Sequence, residues 1–178
     1  MRAGVAFNIL TLLLLVGLLG GEAMLWAVNP LGVPARFVPA RALGLQLFRA
    51  QGPAMEPAVP EGQRVLVSAW AYWHEQPQVG DIVAFAYPGN PAIADLKRVV
   101  AVGGSTVEIK NGVLYVDGVR RAEPYTHASA AVPISMRPLR VPRNSYFVMA
   151  DNREPSEDSR NYGPIARADI IGKQWRLQ

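Results

Sequence analysis

Apolar and polar positions divide the chain into two regimes. From Ala3 to Gly21 no residue is charged and Leu, Val and Ile dominate, and apolar character resumes after Glu22 from Ala23 to Val28. A run of this length crosses a bilayer as a helix, so residues 1–28 are predicted to form one transmembrane helix. A cleaved secretory leader, with Arg2 as its positive flank and Gly21-Glu22-Ala23 as its cut, fits less well, because the apolar run is too long and Glu22 falls inside the cut. Arg2 on one side and Arg36 and Arg41 on the other nearly balance, so charge does not orient the helix. Residues 29–51, rich in Pro, Gly and Ala, are predicted to be a juxtamembrane linker. Within it, Arg41 to Arg49 reads either as an amphipathic stretch setting Leu43, Leu47 and Phe48 near lipid or as a solvated connector.

The second regime, residues 52–178, reads as β. Short runs at Arg64–Ser68, Asp81–Tyr87 and Leu96–Val102 are strand-like, the second entered through Gln78-Val79-Gly80 and closed by Pro88-Gly89-Asn90-Pro91. Thr106–Lys110 and Val113–Val116 flank Asn111-Gly112, the signature of a hairpin with a type I′ turn, and Asp117-Gly118 predicts a second tight turn. Ala122 to Pro142, polar and proline-bearing, reads as a long loop. Tyr146–Ala150 and Ile170–Leu177 complete the strands, with Asp151 to Gly163 a polar loop between them. The fold class expected is mainly β, an antiparallel sheet or barrel-like domain carried by one N-terminal helix.

Composition narrows the chemistry. The 178 residues hold one ordinary domain plus an appendage. A net charge of +4 without a block of like charges argues against a nucleic-acid partner, and on a membrane-attached chain it favours contact with anionic lipid. There is no cysteine, which excludes disulfides and thiolate catalysis. His74 and His127 are the only histidines, too few for a zinc cluster or a good Ser-His-Asp triad. No metal or cofactor is expected, and acid–base chemistry falls to Lys, Asp, Glu or Tyr.

Three stretches concentrate that chemistry. In Gly52-Pro53-Ala54-Met55-Glu56-Pro57, a proline on each side restricts the backbone and presents Ala54 on a stiff loop; taken alone, the segment reads as a connector. The second stretch is Asp95-Leu96-Lys97-Arg98-Val99-Val100. Strand alternation puts Lys97 on one face with Val99 and Ala101, an apolar setting that would favour a neutral amine, and leaves open whether Lys97 or Arg98 is the buried base. An edge-strand charge is the plainer reading of Lys97 by itself. The third is Ala150-Asp151-Asn152-Arg153-Glu154-Pro155-Ser156-Glu157-Asp158-Ser159-Arg160.

In this order, after an apolar N-terminus, the three stretches resemble the type I signal peptidases, membrane serine proteases with a Ser-Lys dyad. The resemblance rests on Ser-Met-x-Pro, Lys-Arg-Val and Gly-Asp-Asn-Arg-x-x-Ser-x-Asp-Ser-Arg boxes, and it extends through Gly80-Asp81-Ile82-Val83 and the hairpin after Lys97. It implies that position 54 is the nucleophile's, with Met55 and Pro57 beside it, that Lys97 is the general base, and that Ser156 orients the lysine. It further implies that the Ala54 backbone N–H forms the oxyanion hole, with Gly52 where some members carry a hydroxyl donor. Asp158 pairs with Arg160 and Asp151 with Arg98 to brace the site, alongside Asn152 and Arg153.

The implied partners are signal peptides of exported precursors, with small residues at the first and third positions before the cut, and membrane lipid. The implied setting is the outer face of the cytoplasmic membrane, as a monomer. Two departures stand out: Ala150 replaces the third box's leading glycine, and Ala54 has no hydroxyl. Ser68 and Ser105 lie in no matching context. The form is therefore expected to be inactive or nearly so. Retention of Lys97, Ser156, Asp158 and Arg160 favours a competent peptidase with its nucleophile replaced. The alternative is a catalytically silent membrane chaperone that binds signal-bearing chains, as in pilus assembly. A self-cleaving repressor of related Ser-Lys fold would need a DNA-binding domain where the apolar segment stands.

Overall fold

Short strands rich in β-branched, aromatic and other apolar residues build two antiparallel sheets. The computed structural model describes residues 44–126, 134–154 and 156–175, all within one compact unit, Val33–Gln178. The predicted membrane helix and residues 29–43 of the linker lie outside the described residues, and so does His127. Among the described residues no helix is long and apolar enough to cross a membrane.

The larger sheet contains β1 (Leu45–Arg49), β2 (Arg64–Ser68), β3 (Ile82–Tyr87), β4 (Asn90–Val102), β9 (Ser145–Met149), β10 (Ile165–Ala166) and β11 (Ile170–Gln174), in the order β1-β2-β11-β3-β4-β9-β10. The smaller contains β5 (Thr106–Lys110), β6 (Val113–Val116), β7 (Val119–Arg120) and β8 (Met136–Arg140), in the order β7-β6-β5-β8. A one-turn helix, α1 (Ser159–Tyr162), is capped by Asp158. Asn111 and Gly112 both take positive φ, 49° and 79°, in the β5–β6 hairpin. Asp117 and Gly118, at 54° and 76°, form the next turn.

Several expectations are corrected. The strand read as Leu96–Val102 begins at Asn90, directly after Pro88-Gly89, and pairs with β3 from Tyr87↔Asn90 to Ile82↔Arg98. Leu45–Arg49, read as part of the linker, is a strand paired residue for residue with β2 from Leu45↔Ser68 to Arg49↔Arg64. Its alternation puts Leu45 and Leu47 outward and the half-buried Gln46 and Phe48 inward. That mixed face hides the amphipathic β signal. Residues 136–140, read as loop, form β8, with Val107↔Leu139 and Ile109↔Met136 in register. Pro138 obscures the strand. It lacks an N–H but is tolerated where the register shifts on this edge strand.

Register sets the faces of β3 and β4. Ile82, Ala84 and Leu96 enter a core with Met55, Val59, Val65 and Ile171. Val83, Phe85 and Val99 enter another with Val148, Ile165 and Ile170. A register shift between Val99 and Ala101 sends Val100 and Ala101 together into the core of the smaller sheet. Lys97 therefore shares a face with Val99 but not with Ala101, because the bulge breaks the alternation the sequence implies.

Candidate active site

The site grows out of a tight loop. Pro53 O accepts from Glu56 N at 3.0 Å and Met55 O from Val59 N at 2.8 Å, while the loop's base is closed by Ala50 N to Gln63 O at 2.9 Å. Met55 and Val59 are buried and pin the loop to the core. Met55 is thus a core residue that also borders the cleft. Gly52 takes φ 73°, a left-handed conformation that favours glycine, with open space where a side chain would stand. Ala54 is half-buried, and its carbonyl accepts from Asn152 N at 3.0 Å. That bond ties the first stretch to the third.

Beside this loop lies a cleft of about 300 Å³ lined by Gly52, Ala54, Met55, Tyr87, Asp95, Leu96 and Glu157, and Lys97 is not among its lining residues. Tyr87 donates its hydroxyl to Glu157 at 2.7 Å across the rim, and that bond raises its pKa above 10.0. Lys97 is only 3% exposed. Its amine donates to Asp95 Oδ2 at 2.5 Å, and Asp95 Oδ1 accepts from Leu96 N at 2.7 Å. Asp95 carries no role in the sequence reading. The signal that marks it is its place two residues before Lys97 on one strand, hence on the same face.

Ser156 lies elsewhere. It borders a neighbouring depression of about 630 Å³ with Arg153, Arg160 and Glu157, and its carbonyl accepts from Arg160 at 3.4 Å. Among the described residues the hydrogen bond of Lys97 goes to Asp95 and not to Ser156. The charged partner wins because a charge-assisted bond is stronger than one to a neutral hydroxyl.

The remaining charged residues form a brace. Arg98 meets Asp151 in two bonds, Nε to Oδ1 at 2.7 Å and Nη2 to Oδ2 at 2.6 Å, gives a third to Gly80 O at 2.7 Å, and stands 4.3 Å over the Tyr125 ring. Asp158, fully buried, accepts from Ala150 N at 3.0 Å and from Arg160 through Nε and Nη2, both at 2.8 Å. Arg153 pairs with Glu123 and donates to Ala150 O at 3.0 Å. Burial raises the pKa of Tyr125, with Glu123 adding to it. Burial likewise raises that of Tyr162, followed by the field of Asp95. Glu123 and Tyr125 escape the sequence reading because they lie in a stretch without regular pattern. Among the described residues no cluster of His, Cys, Asp and Glu is grouped to hold a metal.

Residues 25–176 match the family model described as signal peptidase, peptidase S26. The chain belongs to this family. Its members are serine endopeptidases. Over 143 residues the chain is 36% identical to a probable signal peptidase I-1 of Synechocystis, covering 74% of this chain and 72% of that one. It is 32% identical over 137 residues to signal peptidase I V of Bacillus subtilis, covering 70% and 80%. A crystal structure of a signal peptidase I from Enterococcus faecalis aligns with 56% of this chain and 97% of that chain, at 32% identity and a TM-score of 0.49. The signal peptidase match takes in all three chemistry-bearing stretches.

Proposed function

We propose that the chain is a type I signal peptidase built around a Ser-Lys dyad whose nucleophile position is occupied by Ala54. The observation that carries this reading is one cleft lined by both Ala54 and Asp95, the carboxylate of which holds the Lys97 amine. A precursor's scissile carbonyl would lie between them. With a hydroxyl at position 54, oxygen attacks the carbonyl carbon while its proton passes to the Lys97 amine, which must first give up the extra proton that pairs it with Asp95. The N–H of residue 54 then faces the developing oxyanion. Lys97 returns the proton to the departing amine, and water hydrolyses the ester by the same route in reverse. The modest cleft suits small side chains before the cut. Ala54 has no oxygen to attack with, so the chain as it stands forms no ester by this route.

The apolar residues 1–28 and the basic balance support a single-span protein facing lipid; within this reading its domain lies on the outer side of the cytoplasmic membrane, as a monomer without a cofactor. Ser156, in the adjoining depression, is within this reading the hydroxyl that orients Lys97. The test is an Ala54→Ser variant in detergent, incubated with a secretory precursor carrying a small-x-small site. Cleavage is expected, and it is expected to vanish in Ala54→Ser/Lys97→Ala. An intact precursor with Ala54→Ser would sink the reading, and tight binding without cleavage would favour the silent chaperone.

A further inference from the structure

The stretch that holds position 54 is itself held by a segment outside the three chemistry-bearing stretches. Asn152 N donates to Ala54 O at 3.0 Å, and the placing of that carbonyl fixes ψ of residue 54, one of only two soft backbone angles beside its side chain. The turn bearing Asn152 begins at Ala150, whose carbonyl accepts from Arg153 Nε at 3.0 Å. Arg153 turns its other end to Glu123: Nη1 reaches Oε2 at 3.1 Å and Nη2 reaches Oε1. A paired fork of this kind fixes direction as well as distance. Both side chains are nearly dry, 6% exposed for Arg153 and 10% for Glu123. Glu123 stands in a strap, residues 122–126, that leaves the smaller sheet after β7. Arg121 N bonds Leu114 O at 2.9 Å where the strap departs, and Thr126 Oγ1 closes back on Glu123 O at 2.8 Å. Tyr125 donates its hydroxyl to Glu123 Oε1 at 3.0 Å, and its ring lies 4.3 Å from the Arg98 guanidinium. The strap thus meets two arginines of the brace, one following Lys97 on β4 and one following Asn152.

We propose that Glu123 is a positioning residue for the peptidase reaction, setting the pose of residue 54 through Arg153, Ala150 and the Asn152 amide. The proposal rests on the peptidase reading. Glu123 takes no proton and touches no substrate; it acts by holding. Asp158 is engaged by Arg160 and Asp151 by Arg98, and Glu123 is the carboxylate that Arg153 meets. Without that charge the guanidinium can swing from Ala150 O toward the neighbouring depression, which it also lines. The turn at 150–152 then loses one of its supports and the pose of residue 54 broadens. The hydroxyl of an active form spends less time in line with the scissile carbonyl. A displacement of about 1 Å suffices to cost about 100-fold in rate; a loosened turn that keeps its bonds to Arg98 and Ala54 is expected to cost less, about tenfold.

The experiment uses the full chain carrying Ala54→Ser, assayed on a secretory precursor with a small-x-small site, alongside a thermal melt of each variant. Glu123→Gln keeps the shape and an acceptor but removes the charge. It is expected to lower kcat about tenfold with KM within about twofold, because the loss falls on alignment in the transition state and not on binding. Glu123→Leu/Arg153→Met removes both charges and refills the space with apolar side chains, so the melting temperature is expected to stay within about 4 °C of the parent. Its kcat is nevertheless expected to remain about tenfold down, because Ala150 O has lost its donor. A brace serving stability alone would return kcat together with the melting temperature. Parental kcat in Glu123→Gln, a change confined to KM, or recovery of kcat in the double variant would each overturn the proposal and leave the peptidase reading intact. No cleavage by the Ala54→Ser parent would overturn both.

Discussion

The Asn152 amide donates to the Ala54 carbonyl at 3.0 Å, so a residue nearly a hundred positions downstream sets the pose of the loop that carries position 54. Asn152→Pro removes that donor. Leaving the carbonyl unpaired is expected to cost about 1–3 kcal/mol in urea unfolding and to speed amide exchange at Glu56 and Val59, the donors inside the loop. Unchanged exchange would mean that burial of Met55 and Val59 holds the loop unaided.

Lys97 separates stability from chemistry. Lys97→Met exchanges a buried amine for an apolar side chain of similar length, and Asp95, partly exposed, is left with access to water. Stability is expected to change by no more than about 1 kcal/mol, because the carboxylate left behind is solvated and no buried charge is stranded. Cleavage in the Ala54→Ser background is expected to fall at least about 100-fold, the usual contribution of a general base. A chemical melt and a precursor assay on one preparation check both.

Arg98 and Asp151 predict the opposite balance. Both are buried and joined by two bonds, so Asp151→Ala strands a buried guanidinium and is expected to cost about 3–5 kcal/mol. Arg98→Met/Asp151→Leu removes both charges and is expected to lose less than either single change. Additive losses in a double-mutant cycle would show that the two residues do not act as a pair.

Gly172 is placed where a side chain has no room. A Cβ there would stand 2.5 Å from the Ser68 carbonyl oxygen, a backbone atom. The β2–β11 junction must then part, and Gly172→Ala is expected to destabilise the fold by about 1–3 kcal/mol. Thermal unfolding measures it, and a melting temperature equal to that of the parent would be inconsistent with the sheet order described.

Alkaline pH should weaken the fold through its tyrosines. Burial first raises the pKa of Tyr72, with its bond to Asp81 next, and burial also leads at Tyr125 and Tyr162. Below the ordinary value of 10.0 both folded and unfolded chains keep these protons, and the contribution to stability is complete. As pH rises above that value the unfolded chain releases protons the folded one retains, so stability falls. Urea midpoints measured from pH 8 to 11 are expected to drop only beyond about pH 10. A flat profile would mean these rings are solvated.

Local pattern alone determined much of this protein. Short apolar runs and Asn-Gly chemistry mark β2, β3, the second half of β4, β5, β6, β9 and β11, because apolar runs and positive φ are properties of a few neighbouring residues. The three boxes mark the stretches that meet at the cleft for the same reason: each is a short string of side chains. The tertiary structure alone decided that Leu45–Arg49 is an edge strand, since its inward and outward faces are mixed and only pairing with β2 explains them. It also decided which residues of β4 enter the core of the smaller sheet, because the bulge after Val99 resets an alternation that runs unbroken in the letters. Above all it decided what holds Lys97. Ser156 and Asp95 are both present in the sequence, and the choice between them depends on where a loop some sixty residues away comes to rest and on a carboxylate that reaches the buried amine first.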